Sequence, residues 1–436
     1  MKHLCNTLLS LSTILLLPFA ALAQDADAPR AEQKIRIKPY GFVRNYLNVD
    51  SRKTYTVVGG EYNMLPYDAI WNEDQSEDLN DVASMQFQAL TSRFGIDVSG
   101  LRLGRGNLSA KLEGDFGGFG SNNHELRLRL AYIKFSASRS EIVVGQDWHP
   151  LSGSIMPEVL GMAAGAPFRP HSRTPQLRAT RHFNDVWGCT AALLGQLQYM
   201  NNGPASASDP TSTASLSFAT QSLVPEAFLG INFKQGPCYV QLAFDGQILK
   251  PRTHALVGGV TKKVSETVLS LTPTIYAQYV EDLWVVKFRT LLAENTSHLN
   301  QLVGYAVTGV GDDGSWDYQP LRASISYLNV AYGKKCRVNL FLGYMKNLGA
   351  SEDLYDFGTG NYRIYMKGGE AFTHLNSIYR IAPSVSYNTK DFNIGLEYEW
   401  TAATFGDLDS RGAVLNNDNL HQVSNHRLCA LVKYNF

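Results

Sequence analysis

Apolar and polar side chains alternate along this chain with a period of two residues. The alternation is clearest in the last segment, where one parity carries the polar residues Arg427, Lys433 and Asn435. The other parity of this segment is apolar throughout: Leu428, Ala430, Val432, Tyr434 and Phe436. This period predicts a β-strand with one apolar and one polar face. One such strand fits either a transmembrane barrel or the surface of a periplasmic sandwich.

The same alternation recurs along the chain and predicts sixteen strands. The predicted ranges are 35–49, 85–99, 106–116, 124–137, 140–148, 174–183, 186–200, 223–234, 238–249, 264–280, 283–294, 320–333, 336–346, 374–388, 391–402 and 424–436. Proline lacks the backbone donor of a sheet ladder, so Pro39, Pro273 and Pro383 weaken three of these predictions. A water-soluble sandwich would have to cover each apolar face, whereas lipid covers the outside of a membrane barrel.

The connections between the predicted strands alternate between short and long. Residues 138–139, 184–185 and 281–282 form short turns, whereas 50–84 and 295–319 are long and polar. Outer-membrane barrels have short periplasmic turns and long extracellular loops. We therefore predict an all-β fold, a transmembrane antiparallel β-barrel of about 16 strands with that arrangement of turns and loops.

The N-terminal residues predict export. Residues 1–23 combine a short polar head, an apolar run and a small-x-small ending, the pattern of a cleaved signal peptide. The run is shorter than the roughly 20 apolar residues that a spanning helix needs. We predict a signal peptide over 1–23, a short N-terminal segment over 24–34 and a single barrel over 35–436. Charged residues interrupt every later apolar stretch, so the predicted location is the cell outer membrane.

Composition agrees with a barrel. Hydrophobic residues make up 44% of the chain, which is too few for a helical membrane protein but sufficient when only every second strand residue faces lipid. The 39 basic and 39 acidic residues balance, and no polybasic stretch indicates a nucleic-acid partner. No cysteine belongs to a C-x-x-C pair. We expect Cys189, Cys238, Cys336 and Cys429 to be packed and unpaired, although an oxidising compartment leaves a disulfide open.

By strand parity, six basic side chains are predicted to face the interior as pore-wall residues. They are Arg93, Arg127, Arg129, Lys287, Arg289 and Arg380. Acidic residues predicted to face them are Asp97, Asp115, Asp147, Glu397 and Glu399. Guanidinium groups in a narrow opening attract anions and bind carboxylates with two hydrogen bonds. Ion pairs across the wall would instead only brace the barrel, and the sequence leaves both roles open.

Three stretches resemble the DcaP-like family of outer-membrane porins. Tyr40–Asn45 opens the first predicted strand, Gly145–Trp148 ends the fifth, and Pro167–Arg178 leads into the sixth. The strand and loop pattern extends the resemblance over nearly all of the barrel, and the terminal Phe436 resembles the assembly signal of bacterial outer-membrane barrels. The resemblance implies a sixteen-stranded, trimeric, passive channel that admits small anions, dicarboxylates among them. The chain departs from members with an N-terminal coiled coil, because residues 24–33 show no heptads.

The resemblance also implies that the third long connection, residues 149–173, folds into the lumen. Its content of Gly, Ala, Met and Pro favours a packed loop over a solvated one. The candidate pore-constriction residues are Asp147, Glu158, Arg169, Arg173 and Arg178. The connection itself holds two arginines against one acid, which predicts an anion bias.

The leading hypothesis is a passive diffusion porin for small hydrophilic solutes, anion-biased, acting as a homotrimer in outer-membrane lipid. One alternative is a barrel adhesin or assembly protein that acts through outer loops such as the acidic 50–84. A less favoured alternative is an outer-membrane hydrolase, but the chain has no G-x-S-x-G or H-E-x-x-H motif. His421 and His426 are five apart and show no metal-ligand spacing. We therefore predict no enzymatic activity, no metal site, no cofactor and no nucleic-acid partner.

Overall fold

The computed structural model describes residues 34–119, 124–152, 155–161, 165–207 and 209–436. The predicted signal peptide lies outside these residues. Sixteen antiparallel strands form one closed sheet, which confirms the predicted fold class. Labelled in chain order, the strands are β1 (Arg36–Asp50), β2 (Ser84–Gln88 and Arg93–Leu103), β3 (Gly106–Phe119), β4 (His124–Ala137), β5 (Ser140–Trp148), β6 (Arg173–His182), β7 (Trp187–Leu194), β8 (Glu226–Gln235), β9 (Cys238–Leu249), β10 (Val268–Val280), β11 (Trp284–Glu294), β12 (Arg322–Tyr332), β13 (Cys336–Gly349), β14 (Leu375–Asn388), β15 (Phe392–Phe405) and β16 (His421–Asn435).

The barrel closes between its last and first strands. β16 pairs with β1 from Phe42 opposite Asn435 to Asp50 opposite Arg427. The terminal Phe436 exchanges two backbone hydrogen bonds with Gly41, each 3.0 Å long. A Cβ at Gly41 would lie 2.6 Å from the Phe436 ring and 2.6 Å from the carbonyl oxygen of Arg93. Only glycine therefore allows the chain end to pack onto the first strand.

Strand residues alternate between a lipid-facing exterior and a largely buried interior. On β16, Leu428 is 51% exposed and Tyr434 is 55% exposed, whereas Arg427 and Cys429 are each 2% exposed. Exposed Leu, Ile, Val and aromatic side chains continue this apolar exterior around the sheet. A water-soluble protein would not leave such a surface uncovered, so the barrel lies in the outer membrane. No helix among the described residues has the length and apolar character to span a membrane.

The second strand differs from its prediction, because it is interrupted. Residues 89–92 leave the ladder between its two segments. Gln88 pairs with Tyr46 and Arg93 pairs with Phe42, so four residues of β2 oppose three of β1. This bulge adds local twist to the wall. The alternation in the sequence continues across it and gave no sign of the break.

The long external loops carry their own small sheets, and several of them pack together. We name them L1 (residues 51–83), L3 (149–172), L6 (295–321) and L7 (350–374). Two strands of L6, Tyr305–Val310 and Trp316–Pro320, form a sheet with Ile364–Tyr365 of L7. The main hydrophobic cluster combines these loops with interior side chains of the wall: Met64, Leu65, Phe168, Leu302, Phe341, Met366 and Ile378 are among its members.

The four cysteines of the barrel are unpaired, as expected. Cys429 is buried, but Cys238 and Cys336 are exposed, so the expectation that all four would be packed is wrong for these two. Both begin a barrel strand just after a short turn, where the apolar alternation no longer controls burial.

Candidate functional site

Loop L3 leaves the wall at β5 and returns at β6, but its middle contacts strands elsewhere in the sheet. The Glu397 carboxylate of β15 accepts hydrogen bonds from the backbone N–H groups of Leu160 at 2.8 Å and Gly161 at 2.9 Å. The Lys287 ammonium of β11 donates to the carbonyl oxygen of Met156 at 2.6 Å. Neither β11 nor β15 neighbours β5 or β6 in the sheet. These bonds therefore attach the middle of L3 to distant parts of the wall.

Glu158, the acidic residue of this attached segment, is held by three wall side chains. Its Oε1 lies 3.0 Å from Nζ of Lys287 and its Oε2 lies 3.2 Å from Nη2 of Arg337. Its backbone N–H donates to Oδ1 of Asn329 at 2.6 Å. One carboxylate thus faces two cations, so this part of the interior keeps an uncompensated positive charge.

Asp147 and Arg178, both predicted at the constriction, form an ion pair between the neighbouring strands β5 and β6. Nη2 of Arg178 lies 2.6 Å from Oδ2 of Asp147. Nη1 of the same guanidinium donates to the carbonyl oxygen of Trp148 at 3.2 Å and to Oε1 of Gln176 at 3.1 Å. Four acceptor contacts of this kind fix the plane of the guanidinium. Arg178 is therefore a positioned charge, not a mobile one.

A cavity of about 850 Å³, the inner cavity, lies between L3 and the periplasmic turns. Six basic and three acidic side chains line it: Arg44, Arg178, Lys287, Lys334, Arg337 and Lys433, with Glu141, Asp147 and Glu158. The whole chain carries 39 basic and 39 acidic residues. The excess of positive charge is therefore a local property of the inner cavity.

A second cavity of about 1190 Å³, the outer cavity, lies among the external loops. Its charged lining is Lys53, Lys367 and Arg427 against Asp50. Burial lowers the pKa of Lys367 to about 8, so its ammonium is largely charged at neutral pH and loses its proton at mildly alkaline pH. Both cavities thus carry more basic than acidic groups.

Arg169 and Arg173, also predicted at the constriction, line neither cavity, because their side chains are 0% and 1% exposed. Their guanidinium carbons lie 5.8 Å and 4.7 Å from the centre of the Trp148 ring, which itself lines the inner cavity. Four of their nitrogens have no hydrogen-bond partner among the described residues. Burial lowers the pKa of Arg169 to about 10, which still leaves it charged at neutral pH. Two buried cations therefore stand one aromatic ring behind the cavity surface.

Three of the six predicted pore-wall cations brace the wall. Arg127 binds Asp115 through two hydrogen bonds of 2.9 Å and 2.8 Å. Arg129 bridges Glu113 and Asp115, at 2.8 Å to each. Arg93 lies 3.5 Å from Glu113. Each of these guanidinium groups has a carboxylate partner, and neither cavity is lined by any of the five residues.

Two other predicted wall arginines hold the external loops. Nη1 of Arg289 donates to the carbonyl oxygen of Leu151 in L3. Arg380 donates to the carbonyl oxygens of Ala166 in L3 at 2.7 Å and of Asn63 in L1 at 2.8 Å. Both guanidinium groups are almost fully buried. Their partners are backbone carbonyls, so the loops are fixed without neutralising the positive charge.

The structure adds cavity-lining cations that were absent from the predicted set. Arg44 on β1 and Arg337 on β13 share the interior parity of Tyr46 and Asn339, so parity alone was sufficient to identify them. Lys433 of β16 was assigned to the polar parity but not to the pore. Lys334 lies in a periplasmic turn, where no strand pattern applies.

No protein-family model and no curated protein matches this chain. Solved structures match it by fold. The outer membrane channel DcaP of Acinetobacter baumannii is 14% identical and superposes with a TM-score of 0.62, over 94% of this chain and 99% of that one. The anion-selective porin from Comamonas acidovorans is 10% identical, with a TM-score of 0.52 and coverage of 92% and 100%. Outer-membrane expressed OmpT of Vibrio cholerae is 11% identical, with a TM-score of 0.51 and coverage of 94% and 100%.

At these identities the likeness shows the architecture of the molecule. The resemblance to DcaP-like porins, which rested on three short stretches of sequence, is confirmed at the level of the whole barrel.

Proposed function

We propose that this chain is a porin, a passive diffusion channel that carries small hydrophilic solutes across the outer membrane with a preference for anions. The observation that carries the proposal is the inner cavity, where six basic side chains face three acidic ones inside a closed barrel. Fixed charges of one sign in a confined, partly desolvated space raise the local concentration of counter-ions. The solute passes unchanged, so the proposed function requires no catalytic residue and no cofactor.

The proposed constriction is formed by L3 and the wall side chains that hold it. Glu158, Lys287 and Arg337 meet at the attached segment of this loop. Asp147 and Arg178 face the same cavity from β5 and β6. Arg169 and Arg173 add positive potential from behind Trp148 and do not contact the solute directly. A loop tied to several strands keeps these charges at fixed positions, which is what ion preference needs.

Among anions, carboxylates suit this lining best. Guanidinium groups bind carboxylates through two parallel hydrogen bonds, and Arg178 and Arg337 stand on strands β6 and β13, which are well separated in the sheet. A solute with two carboxylates would engage both sides of the cavity in turn. Small dicarboxylates are therefore the proposed preferred class.

We further propose a homotrimer. One of the solved structures of similar fold, OmpT of Vibrio cholerae with a TM-score of 0.51, is described as a trimer form. The apolar exterior of the strands supplies the surface for such an assembly. An unheated sample on a denaturing gel should then migrate as a heat-modifiable species of three chains.

Planar-bilayer recording tests the proposal directly. The purified, folded protein should give stepwise conductance, and its reversal potential in a potassium chloride gradient should indicate chloride preference. Added succinate should reduce the chloride current, because it competes for the same cations. Folded protein without channel activity would refute the porin assignment. A cation-selective channel would refute only the charge argument.

A further inference from the structure

Four metal-ligating side chains meet in the upper half of the barrel, away from the lining of the inner cavity. His149 is the first residue of L3, and His298 lies in the short helix Ser297–Leu299 of L6. Glu226 begins β8 and Asp245 lies in β9. Their four ligand atoms all lie within 4.8 Å of one another, and each residue is less than 5% exposed. The four residues are far apart in the sequence, so no spacing motif marked them.

The geometry of the cluster is centred on one carboxylate oxygen. Oε1 of Glu226 lies 2.7 Å from Nε2 of His149 and 3.1 Å from Nε2 of His298. Oδ1 of Asp245 lies 3.7 Å from Nε2 of His149. Ligand atoms around a tetrahedral zinc ion are separated by about 3.4 Å, given bonds of about 2.0–2.1 Å. Shifts of a few tenths of an ångström would bring these atoms to that spacing.

A hydrogen-bond network without an ion accounts for only part of this cluster. It satisfies Oε1 of Glu226, which accepts from both imidazoles. It leaves Oδ1 of Asp245 buried without a hydrogen-bond partner among the described residues, although this oxygen points toward the cluster. An uncompensated buried carboxylate oxygen is costly. A cation placed between the ligand atoms would compensate it.

The donor set also selects the kind of ion. Two imidazole nitrogens and two carboxylate oxygens are typical ligands of zinc and of neighbouring divalent transition metals, whereas Ca²⁺ and Mg²⁺ prefer sites of oxygen alone. Two carboxylates balance the charge of a divalent ion when both imidazoles are neutral. We propose that His149, Glu226, Asp245 and His298 form a binding site for a divalent transition metal, with Zn²⁺ as the representative ion.

This site would join the beginning of L3 and the beginning of L6 to the wall at β8 and β9. Metal binding through Nε2 requires the proton of a neutral imidazole to lie on Nδ1. In the structure, Nδ1 of His149 instead accepts a hydrogen bond of 3.1 Å from the backbone N–H of Leu151. Loading therefore moves the imidazole proton to Nδ1 and replaces this bond. The backbone at the start of L3 adjusts when the metal enters.

Zn²⁺ titration of the purified, folded and chelator-treated protein tests the site. The wild type should bind one Zn²⁺ per chain by calorimetry and retain it through gel filtration. Loss of a group that merely orients a ligand costs about 10- to 100-fold in affinity, so His298→Gln and Asp245→Asn should each cost at least that. The matched control is His421→Gln, because His421 also lies 2.7 Å from a carboxylate, that of Asp68, but this pair is partly exposed. The control variant should bind like the wild type.

Folding is checked separately by heat-modifiable gel migration, so that loss of binding is not confused with loss of the barrel. Replacing Zn²⁺ with Co²⁺ should give the visible absorption of a four-coordinate nitrogen and oxygen site in the wild type and in the control, and not in Asp245→Asn. The proposal is overturned when the folded wild type binds no more Zn²⁺ than His298→Gln, or when His421→Gln removes the binding. Neither outcome depends on channel activity, so the site and the porin assignment stand or fall independently.

Discussion

Two regions of the barrel interior contain similar numbers of arginine and lysine residues but use them differently. In the wall of β2–β4, three arginines are matched by two carboxylates, and Asp115 alone accepts bonds from two of them. In the inner cavity, six basic groups face three acidic ones. The first region is an ion-pair network that joins strands. The second presents positive charge to the space that a solute would occupy.

The difference comes from strand register, not from residue type. Asp115 stands directly opposite Arg127 on the neighbouring strand, so pairing is immediate. Lys287 stands opposite Gln278 on one side and Asn329 on the other, neither of which carries a charge. Its only acidic partner, Glu158, comes from L3 and is shared with Arg337. An inward-facing cation therefore remains available when its cross-strand neighbours are amides.

The largest expected effect tests the paired region. Asp115→Asn removes the carboxylate that Arg127 and Arg129 share and leaves two buried guanidinium groups without their full complement of acceptors. Breaking a buried ion pair from one side typically costs about 3–5 kcal/mol. We expect the free energy of unfolding to fall by that amount, measured by urea titration of the protein in detergent micelles or lipid.

The control for this prediction is Asp97→Asn. Asp97 also pairs with a cation, Lys111, at 2.8 Å, but its carboxylate is 42% exposed. An exposed pair contributes about 0–1 kcal/mol. Equal losses of stability in the two variants would show that the β2–β4 network is not a brace and would remove the contrast between the two regions.

The same contrast explains how far the sequence could be read. The period of two determined the sheet and the side of it that each residue faces, because lipid and interior impose opposite demands at alternate positions. It therefore predicted the inward direction of Lys287 and Arg380. It does not apply in loops, and the predicted constriction residues Arg169 and Arg173 lie buried behind Trp148. Parity also carries no information on register, so it did not separate bracing cations from available ones.

The prediction of next largest effect tests the unpaired region. Arg337→Gln removes one of the cations that line the inner cavity, and its partner Glu158 keeps Lys287. A unit charge about 4–8 Å from a passing ion in water contributes about 0.5–1 kcal/mol. We expect the ratio of chloride to potassium permeability to fall by about two- to fivefold, measured from reversal potentials in planar bilayers. Stability should change little, which is the reverse of the result for Asp115→Asn.

Arg139→Gln is the matched control, because Arg139 is an arginine near the periplasmic side that pairs with the exposed Asp185 and does not line the cavity. Its removal changes the net charge of the chain by the same amount. An equal fall in selectivity in both variants would mean that net charge, not the cavity lining, sets ion preference.

The smallest effect extends the contrast to the outer cavity through pH. Lys367 contributes a positive charge there only below its pKa, which burial lowers to about 8. Raising the pH from 7 to 9 removes the proton and with it one of the three cations that face Asp50 in that cavity. Chloride preference should therefore decrease over this interval, by less than the change caused by Arg337→Gln, because the outer cavity is the wider of the two and salt screens its charges more fully. In Lys367→Arg the cation persists at pH 9, and in Lys367→Met it is absent throughout, so both variants should lose this step in the reversal potential. A step of unchanged size in Lys367→Arg would assign the titration to another group and leave the inner cavity as the only region where fixed charge controls the passing ion.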